Sequence, residues 1–176
     1  SFRQRFEREA KALSSLSHAN VCALFDIGQQ DGTDYLVMEH LEGETLAARL
    51  ERGPLTSDEL LRYATQMAEA LDAAHKRGVI HRDLKPGNIM LGKYGETLVV
   101  DWGLARAQGR GDEWKASDEQ TLQPRSASGT SATQMGSAIG TPAYMSPEQA
   151  AGRLDKLGPS SDVYSLGATL CSVLTG

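Results

Sequence analysis

The sequence predicts an α+β fold, and three observations predict it. Two β-like runs, residues 21–27 and 35–41, are joined by the linker Gln29-Gln30-Asp31-Gly32-Thr33, whose Asp-Gly pair is a hairpin signal. A long amphipathic pattern follows, opened by a capping box and closed by a glycine. Beyond it, two short apolar runs, 89–91 and 97–100, carry polar clusters at their ends.

Taken in order, the chain begins with Phe2, Phe6, Glu9, Leu13 and Leu16, spaced 4, 3, 4 and 3, one stripe of a helix. Glu9 takes a slot where an apolar residue is expected. A carboxylate there either meets a cation or reaches out to water, and spacing alone leaves both open. After the hairpin, a short helix over 45–51 ends at Gly53-Pro54. Thr56-Ser57-Asp58-Glu59 is a capping box, with Thr56 as N-cap and Glu59 reaching back. Leu60, Ala64, Met67, Leu71 and Ala74 continue it at helical spacing. Lys76 and Arg77 suit the C-terminal dipole, and Gly78 supplies the stop. Periodicity then gives way to the dense polar stretch His81 to Asn88, the two strands around the turn Gly92-Lys93-Tyr94-Gly95, and Asp101. Residues 108–137 are rich in Ser, Thr, Gly, Gln and Ala and carry too little apolar surface to order themselves. Residues 163–174 are apolar on all sides, the pattern of a helix buried in a larger body. Both ends of the chain fall in helical patterns, which predicts a piece of a longer protein.

Composition narrows the function. Lys+Arg is 18 against 23 Asp+Glu, a net charge of −5, so the basic footprint of a nucleic-acid binder is absent. At 40% hydrophobic and 23% charged residues, the chain is ordinary for a globular protein. No apolar run approaches the roughly 20 residues of a membrane span. Cys22 and Cys171 lie far apart in apolar runs, which predicts buried free thiols in a reducing compartment. His18, His40 and His75 have no metal-ligand spacing with Cys or Glu, and His81 reads as a packed structural residue. Gly87 to Lys93 fits G-x-x-x-x-G-K, but Tyr94 replaces the required Ser/Thr and a turn follows where a helix should open. Trp114, in the polar stretch, reads as an incidental aromatic.

The chemistry lies in two clusters: Asp83, Lys85 and Asn88 before the first short strand, and Asp101 just past the second. A hairpin between them would bring two carboxylates, an amide oxygen and an ammonium together. Asp and Asn oxygens are hard ligands suited to Mg²⁺, which fills its shell with phosphate and water. A Lys beside them neutralises a transferring phosphoryl group, and an Asp free of metal can accept a hydroxyl proton. The set fits phosphoryl transfer, in which the protein mostly positions groups and neutralises charge.

His81-Arg82-Asp83-Leu84-Lys85-Pro86-Gly87-Asn88 resembles the catalytic loop of protein kinases, and Asp101-Trp102-Gly103 resembles their metal-binding Asp-Phe-Gly, with Trp for Phe. Gly140 to Glu148 (Gly-Thr-Pro-Ala-Tyr-Met-Ser-Pro-Glu) is similar to the end of the activation segment, with Ser146 where Ala is usual. Ser161 to Gly167 is similar to the start of the large lobe's buried helix, and Tyr35 to Leu41 to the strand entering the hinge. Leu16-Ser17-His18-Ala19-Asn20-Val21 resembles the usual His-Pro-Asn-Ile, with Ala for Pro, and Glu9 falls seven residues before it, where the small-lobe helix Glu belongs. The style is that of bacterial serine/threonine kinases.

The resemblance implies a two-lobe kinase fold, truncated: residues 1–41 a partial small lobe, and 42–176 a partial helical large lobe with an activation segment over 101–148. It implies a serine/threonine protein kinase using ATP with Mg²⁺ or Mn²⁺, acting on protein substrates in the cytoplasm, as a free protein or as the cytoplasmic part of a membrane-anchored receptor. It also implies no nucleic-acid partner and no membrane anchor within this stretch. Asp83 would be the catalytic base, Lys85 would steady the γ-phosphate, and Asn88 and Asp101 would hold the metal. Met38 would be the gatekeeper, Glu39 and Leu41 would offer backbone groups to adenine, and Met90 would lie under the ring. Thr141 would contact Asp83 and Lys85, and Asp162 would anchor the catalytic-loop backbone. Arg82 implies control by loop phosphorylation, with Thr130, Ser131, Thr133 and Ser137 as candidate sites and a kinase dimer as the agent.

The departures matter as well. The Gly-rich loop and the strand Lys that pairs with Glu9 do not occur in this stretch, nor does an Arg placed to pair with Glu148. A buried, unpaired Glu148 would cost roughly 3–5 kcal/mol. These 176 residues alone are therefore expected to be inactive. The rival readings are a pseudokinase or scaffold that binds without turnover, and a small-molecule phosphotransferase. Intact Asp83, Asn88 and Asp101 speak against the first, and the Gly140 to Glu148 segment against the second.

Overall fold

A computed structural model describes residues 11–30, 33–102 and 141–175. Strands β1 (Leu24–Gln30) and β2 (Thr33–Met38) form an antiparallel two-stranded sheet. Both strands are displaced from the positions their apolar runs suggested. Residues 20–22 are committed elsewhere: Val21 bridges Val99 in parallel, Val99 N–H donates to the Asn20 carbonyl (2.9 Å) and Cys22 N–H to the Val99 carbonyl (3.2 Å). The Asp31-Gly32 turn lies outside the described residues.

The second sheet has the order β3 (Gly43–Thr45), β4 (Ile89–Gly92), β5 (Thr97–Val99), antiparallel throughout. β4 and β5 are the two short strands the sequence predicts. β3 carries no sequence signal, since three residues show no alternation. Gly43 permits its pairing: at φ 154° its backbone approaches so closely that an added Cβ would sit 2.1 Å from the Leu91 carbonyl oxygen.

Helix α1 (Leu46–Leu50) is N-capped by the Thr45 side chain. Helix α2 (Ser57–His75) begins with the predicted capping box. Thr56 Oγ1 accepts from Glu59 N–H, and the Glu59 carboxylate accepts from Thr56 N–H at 2.8 Å. Its buried face is Tyr63, Met67, Ala70, Leu71 and Ala74. Past the helix end, Gly78 turns the chain away in the left-handed region at φ 74°, and Val79 N–H closes onto the Ala74 carbonyl (3.0 Å). That stop releases the chain into the polar loop.

Two further helices follow, α3 (Pro147–Ala150) and α4 (Pro159–Thr175). Within these residues α4 turns one face inward. Its buried face is Ser161, Asp162, Ser165, Thr169 and Val173, whereas Val163, Tyr164 and Leu174 are exposed. The polar residues turn inward because they have hydrogen-bonding work there: Asp162 reaches the polar loop and Ser165 Oγ donates to the Tyr144 carbonyl (2.8 Å). Cys171 is likewise exposed, and only Cys22 of the two free thiols is buried. One apolar core, including Leu16, Val21, Leu46, Met67 and Ile89, backs the β3–β5 sheet and α2.

Candidate active site

The loop from α2 to β4 is anchored by a residue 80 positions away. Asp162, fully buried on α4, accepts from the backbone N–H of His81 through Oδ2 and of Arg82 through Oδ1, each at 2.8 Å. His75 Nε2 meets the same Oδ2 at 2.7 Å. Three donors thus satisfy a carboxylate that burial would otherwise penalise. Arg82 sits at φ 70° and Asp101 at φ 57°, the non-glycine residues in the left-handed region among those described. Such strain is held only where surrounding contacts over-determine the backbone, and it clusters at functional sites.

Asp83 is 5% exposed and is held by polar partners. Its Oδ2 lies 2.9 Å from Lys85 Nζ, and its Oδ1 accepts from Thr141 N–H at 3.1 Å. Lys85 Nζ also donates to Thr141 Oγ1 at 2.9 Å. Asn88 Nδ2 donates to the Asp83 carbonyl (2.8 Å) and to Asp83 Oδ2 (3.3 Å). The amide nitrogen is thus committed to Asp83, and the amide oxygen keeps its acceptor capacity. Val100 N–H donates to the Asn88 carbonyl (3.0 Å), and the next residue in the chain is the exposed Asp101.

His81 ties the two clusters together. Its Nδ1 accepts from Asp83 N–H (3.2 Å), and its Nε2 faces the Val100 carbonyl (3.0 Å). Those partners define the neutral imidazole carrying its proton on Nε2. Burial holds the His81 pKa below its ordinary value, against the opposing pull of Asp162, Asp83 and Asp101. Trp102 is buried against it, ring centroids 4.9 Å apart, and donates Nε1–H to the Val99 carbonyl (3.0 Å).

Glu39, Leu41 and Met90 line a cleft of about 370 Å³ between the segment that follows β2 and the β4–β5 turn. Met38 does not line it and is 49% exposed. Glu39 N–H is taken up by the Ala23 carbonyl at 2.9 Å. Lys93 lies in the turn after β4, paired with Glu42 at 2.6 Å, so the G-x-x-x-x-G-K match is no phosphate loop. Glu148 is half-buried rather than buried and unpaired. It accepts from the Ser161 hydroxyl, and chiefly that bond lowers its pKa, with Arg153 nearby. Glu9, Thr130, Ser131, Thr133 and Ser137 lie outside the described residues.

Sequence reasoning missed three residues here: His75, Ser161 and Gln149. No spacing rule joins His75 to a partner 87 positions on. Gln149 was legible, because Ser146-Pro147-Glu148-Gln149 has the S-x-x-Q form of a capping box and makes one in the structure.

Fold and site together define a phosphotransferase scaffold of the protein-kinase type, and residues 1–176 match the protein kinase domain family, to which the chain belongs. Its relatives include a probable serine/threonine-protein kinase PknB of Lactococcus lactis, 37% identical over 98% of this chain. Bacillus subtilis PrkC is 38% identical over 99% of the chain, and Mycobacterium tuberculosis PknB 39% over 100%. The chain spans about a quarter of the length of these relatives: 24%, 24% and 26%. The Mycobacterium tuberculosis PknI kinase domain matches with a TM-score of 0.71 at 26% identity, over 98% of this chain and 57% of that one. The family as a whole works with ATP and a divalent metal. The donor set fits such an ion: the amide oxygen of Asn88 and the carboxylate of Asp101 are hard ligands. Among the described residues no group of three or more His, Cys, Asp or Glu is arranged for a metal.

Proposed function

We propose that this chain is part of a serine/threonine protein kinase, transferring the γ-phosphoryl group of ATP to hydroxyls of protein substrates. The observation that carries the reading is Asp83, a buried carboxylate bound at once by Lys85, Thr141 and Asn88. Asp83 orients the substrate hydroxyl and takes its proton as the new O–P bond forms and the bond to the ADP oxygen breaks. Lys85, paired with Asp83 and Thr141, offers its charge to the moving phosphoryl group. Asn88 and Asp101 would hold Mg²⁺ or Mn²⁺, which neutralises phosphate charge when bound. Glu39, Leu41 and Met90 form the adenine side of the site, with Met38 as gatekeeper; their shared cleft supports the first three. Thr141 carries serine/threonine preference, since its hydroxyl and N–H bind the two residues nearest the chemistry.

The lobe boundary falls at residue 41, consistent with two separate sheets, β1–β2 and β3–β5. Residues 101–148 act as the activation segment, phosphorylated at Thr130, Ser131, Thr133 or Ser137 by a second copy and read by Arg82. The site works in the cytoplasm, where ATP is available. No helix among the described residues is long and apolar enough to cross a membrane.

The test is to incubate the full-length protein with radiolabelled ATP, Mg²⁺ and a generic basic protein, then identify the labelled amino acid. Phosphoserine or phosphothreonine is expected. Nucleotide binding with no label on any protein would overturn the reading in favour of a binding module.

A further inference from the structure

We propose that Gln149 is a positioning residue for Asp83, acting through the peptide that joins Arg82 to Asp83. The inference rests on the kinase reading of Asp83. Gln149 is 1% exposed on α3 and both ends of its amide are used. Oε1 accepts from Ser146 N–H (3.1 Å), and Nε2 donates to the Arg82 carbonyl at 2.6 Å.

That carbonyl shares a rigid plane with the Asp83 N–H, which donates to His81 Nδ1 at 3.2 Å. Gln149 and His81 therefore grip the two edges of one peptide plane. Arg82 N–H, on the preceding plane, goes to Asp162 Oδ1. Arg82 occupies the left-handed region at φ 70°, a conformation a non-glycine residue keeps only when its surroundings hold it. Losing the Gln149 bond removes one of the two grips on that plane, so it rotates more easily toward an ordinary conformation. That rotation swings the Asp83 Cα–Cβ bond.

The same segment touches Asp83 twice over. Thr141, at its start, binds the Asp83 carboxylate, and Gln149, eight residues on, fixes the backbone behind it. Any displacement of residues 141–149 thus reaches both the side chain and the main chain of Asp83. This makes Gln149 a link between the platform for the polypeptide substrate and the group that accepts its proton.

Gln149→Glu in the full-length protein is the selective variant, because it keeps an acceptor for Ser146 N–H and removes the donor to Arg82. Gln149→Met, of similar volume and uncharged, carries the test if the buried charge prevents folding. The expected result is a kcat lowered by about tenfold or more, since small misplacements at a reacting centre cost up to about 10²-fold. KM for ATP is expected to stay within about twofold, a split that a general loss of folded protein does not produce. Hydrogen exchange at the Asp83 amide is expected to quicken in the same variant. A folded variant with wild-type kcat and wild-type exchange at Asp83 overturns the proposal. If the wild-type protein transfers no phosphate, the kinase reading fails by itself, and exchange at Asp83 still reports on the clamp.

Discussion

Trp102 donates its indole N–H to the carbonyl of Val99, three residues earlier, at 3.0 Å. A phenylalanine, the residue usual at this place in the kinase resemblance, has no such donor. The bond folds the chain back across Val100 and Asp101 just where Asp101 takes its left-handed conformation. Trp102→Phe is therefore expected to lower unfolding free energy by about 1 kcal/mol, the net worth of one buried hydrogen bond. The loss stays modest because the Val99 carbonyl keeps the Cys22 N–H. Denaturant unfolding of the two proteins checks it, and equal midpoints would count against the bond.

Asp162 holds a larger share of the structure. Replacing it with Ala strips acceptors from two backbone N–H groups and from His75 in a fully buried setting. A loss of about 3–5 kcal/mol is expected, the scale for breaking a buried charged network by removing one partner. A change below about 1 kcal/mol in the same unfolding experiment would show that water or a rearranged loop replaces the carboxylate.

The sign of the His81 titration follows from its burial. Its folded-state pKa lies below the ordinary 6.5, so the unfolded chain takes up the proton first as pH falls. The stabilisation is present above pH 6.5 and is lost below it, down toward the folded-state value. Between pH 7 and 5 this one group contributes a slope of at most about 1.4 kcal/mol per pH unit. Unfolding free energy measured across that range should fall with acidification, and fall less steeply in His81→Gln. Parallel slopes in the two proteins would remove His81 from the account.

Much of the frame was legible because it is local. The Thr56–Glu59 capping box, the Gly78 stop and strands β4 and β5 depend on residues within a few positions of each other. So do Asp83, Lys85 and Asn88, which share one loop. What the sequence did not disclose is set by distant partners. β3 exists because β4 offers it an edge, and residues 20–22 leave the hairpin because Val99 takes them. The apolar pattern of α4 did not disclose that its face toward the loop is polar, because the partners there are backbone groups far away in sequence. Glu148 escaped the expected penalty through Ser161, thirteen residues away on another helix, a partner no motif specifies.

The central claim is that Asp83 accepts the proton of a hydroxyl undergoing phosphorylation. Its most direct measurement compares wild type and Asp83→Asn full-length protein for phosphate transfer and for nucleotide affinity with a divalent ion present. The account predicts transfer reduced by about 10²–10⁴-fold, the usual contribution of a positioned base, with nucleotide affinity within about twofold. Transfer at the wild-type rate in Asp83→Asn would contradict it.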